Sequence, residues 1–87
     1  MTVNTYTVKA KDGIHARPAS QLTKVAAKYS DRTDILYRNK KLTLKSIIGV
    51  LSLGIPQGES FSIEVEGPHE QSIISELETV LNEYQII

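Results

Sequence analysis

The sequence predicts an α+β fold of element order β-α-β-β-α-β-α: a layer sandwich, with helices covering one face of a largely antiparallel sheet. Three observations carry that prediction. Short runs alternate apolar and polar residues, as in Tyr6, Val8 and Ala10 and again in Phe61, Ile63 and Val65, which is the period of half-buried strands. Two longer stretches repeat apolar residues at helical spacing. Two of the strands are separated only by "RNKK", which reads as a tight turn.

"TYTVKA" (5–10) is the first strand, and the Asp-Gly of "KDGIH" ends it. The first helix is expected over 16–28, with Ala19, Leu22, Val25, Ala26 and Tyr29 on one face. Pro18 is tolerated only in a first turn, where its missing N–H would have had no partner, so the helix starts close to Ala16. Lys24 and Lys28 sit toward the C-terminal end, where the dipole favours cations. "DILYR" (34–38) and "KLTL" (41–44) are the next strands, with Asn39 able to take a positive φ in the turn. Ser46 reads as the N-cap of a short helix that contains Gly49 and is closed by Gly54 and Pro56. So short a helix buries only part of Ile47, Ile48, Val50, Leu51 and Leu53, leaving a small apolar contact patch. "EVEG" ends the fourth strand. "HEQSIISELETVLNEY" is the last helix, with Ile73, Ile74, Leu77, Val80, Leu81 and Tyr84 in one stripe, Glu70 in its first turn and Pro68 ahead of it.

A chain of 87 residues, 40% hydrophobic, suits one small domain spanning 1–87. It has no cysteine, so packing rather than disulfides must hold it, and a thiolate zinc site is excluded. No apolar run reaches membrane-spanning length, and the N-terminus lacks the basic start and apolar block of a signal peptide. These features are those expected of a soluble cytoplasmic protein. The net charge is zero, yet residues 1–45 hold all ten basic side chains against three acidic ones, while residues 46–87 hold seven Glu and no Lys or Arg. The halves therefore carry +7 and −7. Their attraction can assist folding, and the basic half can present a positive face to acidic partners.

The chemistry gathers at "GIHARPAS" (13–20). His15 immediately precedes the helix that Pro18 positions, where free first-turn N–H groups and the dipole's positive end meet. That end opposes a positive charge on the imidazole, leaving a ring nitrogen free as a nucleophile, and it favours an anion attached to that nitrogen. A phosphoryl group is the natural candidate, with Arg17 and backbone donors to hold its oxygens. Gly13 would allow close backbone approach, and Ala16 and Ala19 add no bulk. On these residues alone, a surface histidine near a helix start is more often inert than reactive. Metal binding is disfavoured, because His69 is the other histidine and no cluster has ligand spacing. His69 itself reads as an exposed residue at the start of the last helix.

"GIHARPAS" resembles the active-site segment of HPr, the histidine-containing phosphocarrier family of the bacterial phosphoenolpyruvate-dependent sugar phosphotransferase system. "LKSIIGVLSLGI" (44–55) resembles that family's second signature, in its Gram-positive form, and both lie where the family places them. The resemblance implies an open-faced β-sandwich of four strands with three helices on one face. It implies that His15 accepts a phosphoryl group on Nδ1 from phosphorylated enzyme I and passes it to a sugar-specific enzyme IIA, with Arg17 steadying the phosphate. The carrier is then a relay protein rather than an enzyme, a monomer that itself holds no metal or cofactor. It further implies phosphorylation of Ser46 by an ATP-dependent HPr kinase/phosphorylase, with catabolite control protein recognising that form. A dianion at a helix N-terminus is consistent with this, although Ser46 serves equally as a plain N-cap. Ser20 and Lys24 on the first helix and Ile47, Ile48 and Leu51 on the second are the expected docking surface. The branched Ile48 and Leu51 replace methionines common in Gram-positive members, keeping apolar character without methionine's adaptability.

Two other readings compete. A purely regulatory relative would keep the serine and replace the histidine, and the presence of His15 with Arg17 argues against it. A small nucleic-acid-binding module needs exposed aromatics on its sheet, whereas Phe61 alternates as a buried residue.

Overall fold

The computed structural model describes residues 1–87 and contains β1 (Thr2–Thr7), α1 (Ala16–Ala27), β2 (Arg32–Tyr37), β3 (Lys40–Thr43), α2 (Ile47–Leu53), β4 (Ser60–Glu66) and α3 (Glu70–Glu83). The sheet runs β1-β4-β2-β3, and every pairing is antiparallel. This is the predicted element order and fold class.

The register decides which face of the sheet is covered. Ile35 lies opposite Ile63, Thr33 opposite Val65, and Tyr6 opposite Phe61, so these side chains share the face packed under the three helices. From the helices, Leu22 and Ala26 of α1, Val50 and Leu53 of α2, and Ile73, Leu77 and Leu81 of α3 enter the same core. Each fully buried Leu, Ile or Phe contributes roughly 1.5–3 kcal/mol relative to exposure. The uncovered face is polar. Asp34 sits opposite Glu64 there, a like-charge pair that would destabilise the sheet if left alone. Arg32 Nη1 donates to Asp34 (2.8 Å) and Glu64 (3.2 Å), and Lys41 Nζ lies 2.7 Å from Glu64, so two cations offset the repulsion. Lys41, with help from Arg32, holds the Glu64 carboxyl below the usual carboxylate range despite partial desolvation.

The boundaries depart from expectation where tertiary contacts take over. β1 runs from Thr2 to Thr7 rather than from Thr5 to Ala10, because its partner β4 supplies register only from Val65 to Ser60. Val8 still exchanges backbone hydrogen bonds with Glu59 and Gly58, and at Lys9 the chain leaves the sheet for the Ile86 carbonyl. In the β2–β3 turn the positive φ falls on Arg38 (55°) and not on Asn39. Tyr37 pairs with Lys40, so the turn has two residues, and its first carries the left-handed conformation that glycine adopts at least cost. The Arg38 side chain is held over the Tyr37 ring and donates to Glu59 (3.0 Å).

α3 is anchored from a distance. The Asp31 side chain is fully buried and accepts the His69 backbone N–H at 2.6 Å, while its other oxygen lies 2.9 Å from His69 Nδ1. Burial pushes the Asp31 carboxyl up, but these bonds outweigh it and hold it below its ordinary value. His69 is thus exposed at the helix start, as expected, but it is also half of a hydrogen-bonded clasp. Two α3 turns further along, Glu76 accepts from Lys28 and Tyr29 and ties α3 to the end of α1.

Candidate functional site

His15 occupies the N-cap position of α1 in extended conformation (φ −99°, ψ −173°), and its side chain makes no capping hydrogen bond. The ring is exposed, and its one polar contact is Nδ1 to the Gly13 carbonyl at 3.4 Å. Ala19 N–H donates to the His15 carbonyl (3.0 Å), and Pro18 has no N–H. The Ala16 and Arg17 amides are therefore the donors left without an intrahelical acceptor, and no acidic side chain stands in the first turn to compete for them. Arg17 is exposed and makes no ion pair, unlike Arg32 and Arg38. An uncapped helix start beside an exposed imidazole and an unengaged guanidinium can receive an anion with no internal contact to break.

The divided charge of the sequence resolves spatially. Lys28, Arg32, Arg38 and Lys41 of the basic half pair with Glu76, Glu64 and Glu66, Glu59, and Glu64 of the acidic half. Lys45, though exposed, donates to the Tyr29 carbonyl (2.9 Å). Lys9, Lys11, Arg17, Lys24 and Lys40 form no ion pair.

Ser46 is the N-cap of α2 (φ −111°, ψ 111°), and its Oγ accepts the Gly49 N–H at 3.1 Å. Gly54 closes the helix in left-handed conformation (φ 58°). Ile48 is 78% exposed and Leu51 38%, so both form the anticipated apolar patch. Ile47 differs, because it packs partly against the core and offers less surface than expected. On α1, which lies against α2, Lys24 is exposed and Ser20 half-buried.

Gly13 has a different neighbour from the one its sequence position suggests. At φ 64°, a Cβ on Gly13 would sit 2.2 Å from the Ile55 carbonyl oxygen, so the close approach is to the exit of α2. Sequence reasoning also overlooked Gln57, whose Nε2 donates to the Lys9 carbonyl (3.0 Å), and Ile86, whose carbonyl accepts Lys9 N–H (2.6 Å). Neither residue belongs to a periodic pattern that could have marked it. The fold's open cleft, about 400 Å³, lies between the β2–β3 turn and the α2 exit, lined by Tyr37, Arg38, Lys40, Leu53, Gly54 and Pro56, and does not include His15. No three His, Cys, Asp or Glu side chains converge as a metal site.

The family model described as "PTS HPr component phosphorylation site" matches residues 3–83. A histidine-containing phosphocarrier protein of a mycoplasma superposes with a TM-score of 0.95 at 30% identity, covering 99% of this chain and 98% of that one. An HPr from Thermoanaerobacter tengcongensis is 36% identical, with a TM-score of 0.86 over 94% of this chain and 92% of that one. The phosphocarrier protein HPr of Bacillus anthracis is 28% identical, with a TM-score of 0.81 over 91% and 94%. With the match spanning both the His15 and the Ser46 segments, the chain belongs to the HPr family, the phosphocarriers of the phosphotransferase system.

Proposed function

We propose that His15 is the phosphoryl acceptor of this chain, charged by phosphorylated enzyme I and discharged to sugar-specific enzyme IIA domains. The observation that carries this reading is the uncapped start of α1, where an exposed imidazole meets two unused amides and the free Arg17. In the forward step an unprotonated ring nitrogen attacks phosphorus. The new N–P bond forms as the donor's bond to phosphorus breaks, and the same exchange runs onward to the next acceptor. If Nδ1 is the attacking atom, the ring proton resides on Nε2, and the long 3.4 Å contact with the Gly13 carbonyl is given up at little cost. Arg17 and the Ala16 and Arg17 amides hold the charge on the phosphoryl oxygens, which is where phosphoryl transfer needs stabilisation.

In this reading the chain is a cytoplasmic, single-domain relay monomer that binds no metal, cofactor, nucleic acid or membrane. Ser20, Lys24, Ile48, Leu51 and the accessible part of Ile47 form the docking surface for enzyme I and enzyme IIA. Ser46 is the target of HPr kinase/phosphorylase, and its phosphorylated form is recognised by catabolite control protein. An HPr of Thermoanaerobacter tengcongensis is known as a dimer, so light scattering on the purified chain tests the monomer. The central test is incubation with enzyme I and labelled phosphoenolpyruvate. Acid-labile, base-stable label is expected, and it is expected to disappear in His15→Ala. Label retained in that variant sinks the assignment.

A further inference from the structure

The loop that carries His15 meets the exit of α2 at Gly13 and Ile14. Gly13 has its Cβ position filled by the Ile55 carbonyl oxygen at 2.2 Å, and the next residue, Ile14, donates its N–H to that oxygen at 3.2 Å. Ile55 directly follows Gly54, the C-cap of α2. Gln57 Nε2 holds the other end of the loop at the Lys9 carbonyl (3.0 Å), and Lys9 N–H is held from the opposite side by the Ile86 carbonyl (2.6 Å). Ile86 is itself fully buried. The Gly13 carbonyl is then the one polar group touching the His15 ring. A continuous main-chain path runs from α2, which presents Ile48 and Leu51, to the imidazole.

We infer that Gly13 and Gln57 are positioning residues for His15. They set the nucleophile at a fixed offset from the α2 docking surface, so that a partner seated on α2 meets the ring in register. This rests on the phosphocarrier reading and adds to it the elements that aim the ring. A β-carbon at Gly13 cannot coexist with the Ile55 oxygen, and an L side chain is also strained at φ 64°. The loop must therefore lift, carrying His15 with it. Misplacement of a reacting group by about 1 Å can cost up to about a hundredfold in rate.

The test compares Gly13→Ala, Gln57→Ala and, as a control for general destabilisation remote from the loop, Val80→Ala. Two readouts are taken: kcat and KM for phosphoryl transfer from phospho-enzyme I, and the NMR order of the His15 ring with the hydrogen exchange of Ile14 N–H. The expected result is a fall in kcat of roughly tenfold or more for Gly13→Ala. Gln57→Ala should show a smaller fall in the same direction. KM should be unchanged in both, because the docking residues are untouched. Ring mobility and Ile14 exchange should rise in both variants and not in Val80→Ala. A raised KM with unchanged kcat overturns the inference, as does an equal fall in kcat for Val80→Ala. If Gly13→Ala does not fold, Gln57→Ala decides. If the parent chain accepts no label, the phosphocarrier reading fails, while the ring and exchange measurements still judge the positioning: an unchanged ring in Gln57→Ala overturns it.

Discussion

Ser46 offers a perturbation in which stability and activity are expected to move in opposite directions. Its Oγ satisfies the Gly49 N–H, one of the orphan donors of the α2 start. Ser46→Ala removes that acceptor, at a cost of about 1 kcal/mol. For a domain of this size that corresponds to a fall in Tm of about 5 °C. Ser46→Asp restores an acceptor of similar capping strength. It also places a negative charge at a helix start whose first turn contains no acidic residue. That charge contributes roughly 0.3–1 kcal/mol, less in a helix this short. The expected order of Tm is therefore Asp at or above Ser, with Ala lowest. Transfer from phospho-enzyme I should be slowest in the Asp variant, because the charge stands beside Ile48 and Leu51 on the surface proposed to meet acidic partners. Thermal unfolding by circular dichroism and single-turnover phosphorylation read the two effects separately. Ser46→Ala matching the parent in Tm would refute the cap argument. Ser46→Asp as unstable as Ala would refute the dipole argument, and an unimpaired rate in it would count against a switch at this position.

Two further predictions concern charge. Arg17→Glu should not lower Tm, since the side chain pairs with nothing in the fold and the dipole favours a carboxylate in the first turn of α1. It should slow phosphoryl acceptance at least tenfold by removing a charge-assisted donor and adding repulsion, and an unchanged rate removes Arg17 from the site. The carboxyls of Asp31, Glu64, Glu70 and Glu76 all lie below their ordinary values of 3.8 and 4.5 when folded, owing chiefly to His69 acting against burial, to Lys41, to the Thr2 hydroxyl and to Lys28 respectively. Their stabilisation is complete above those ordinary values and is lost as pH falls through the lower folded ones. Tm should therefore decline from about pH 5 toward pH 2, and Asp31→Asn should lower Tm at neutral pH while flattening that decline. An acid slope identical to the parent's would show that the Asp31–His69 clasp does not contribute to it.

Much of the site was legible because its signals are local. Pro18 has one tolerable place in a helix, so it located the first turn of α1 and put His15 at its threshold. Ser46, Gly49 and Gly54 marked the short helix by a cap and a stop, and the structure has both. Ile48 and Leu51 are exposed because seven residues make two turns, and Val50 and Leu53 already fill the buried side. Ile47 is half-buried for the same geometric reason, since it packs partly against the core. Asn39 was chosen for the turn on its preference for positive φ, but the Tyr37–Lys40 pairing placed Arg38 in that conformation. Register between strands overrode residue preference there.

By itself the sequence determined the element types and their order, both helix starts proposed to bear function, and the sides of the helices that face the core. All of these depend on backbone hydrogen bonding and periodicity within a few residues. The tertiary structure alone decided that Gly13 abuts Ile55, that Gln57 and Ile86 hold the loop before His15, and that Asp31 clasps the start of α3 through His69. Each of these joins residues far apart along the chain, and no local spacing encodes a contact that exists only once the helices have been laid across the sheet.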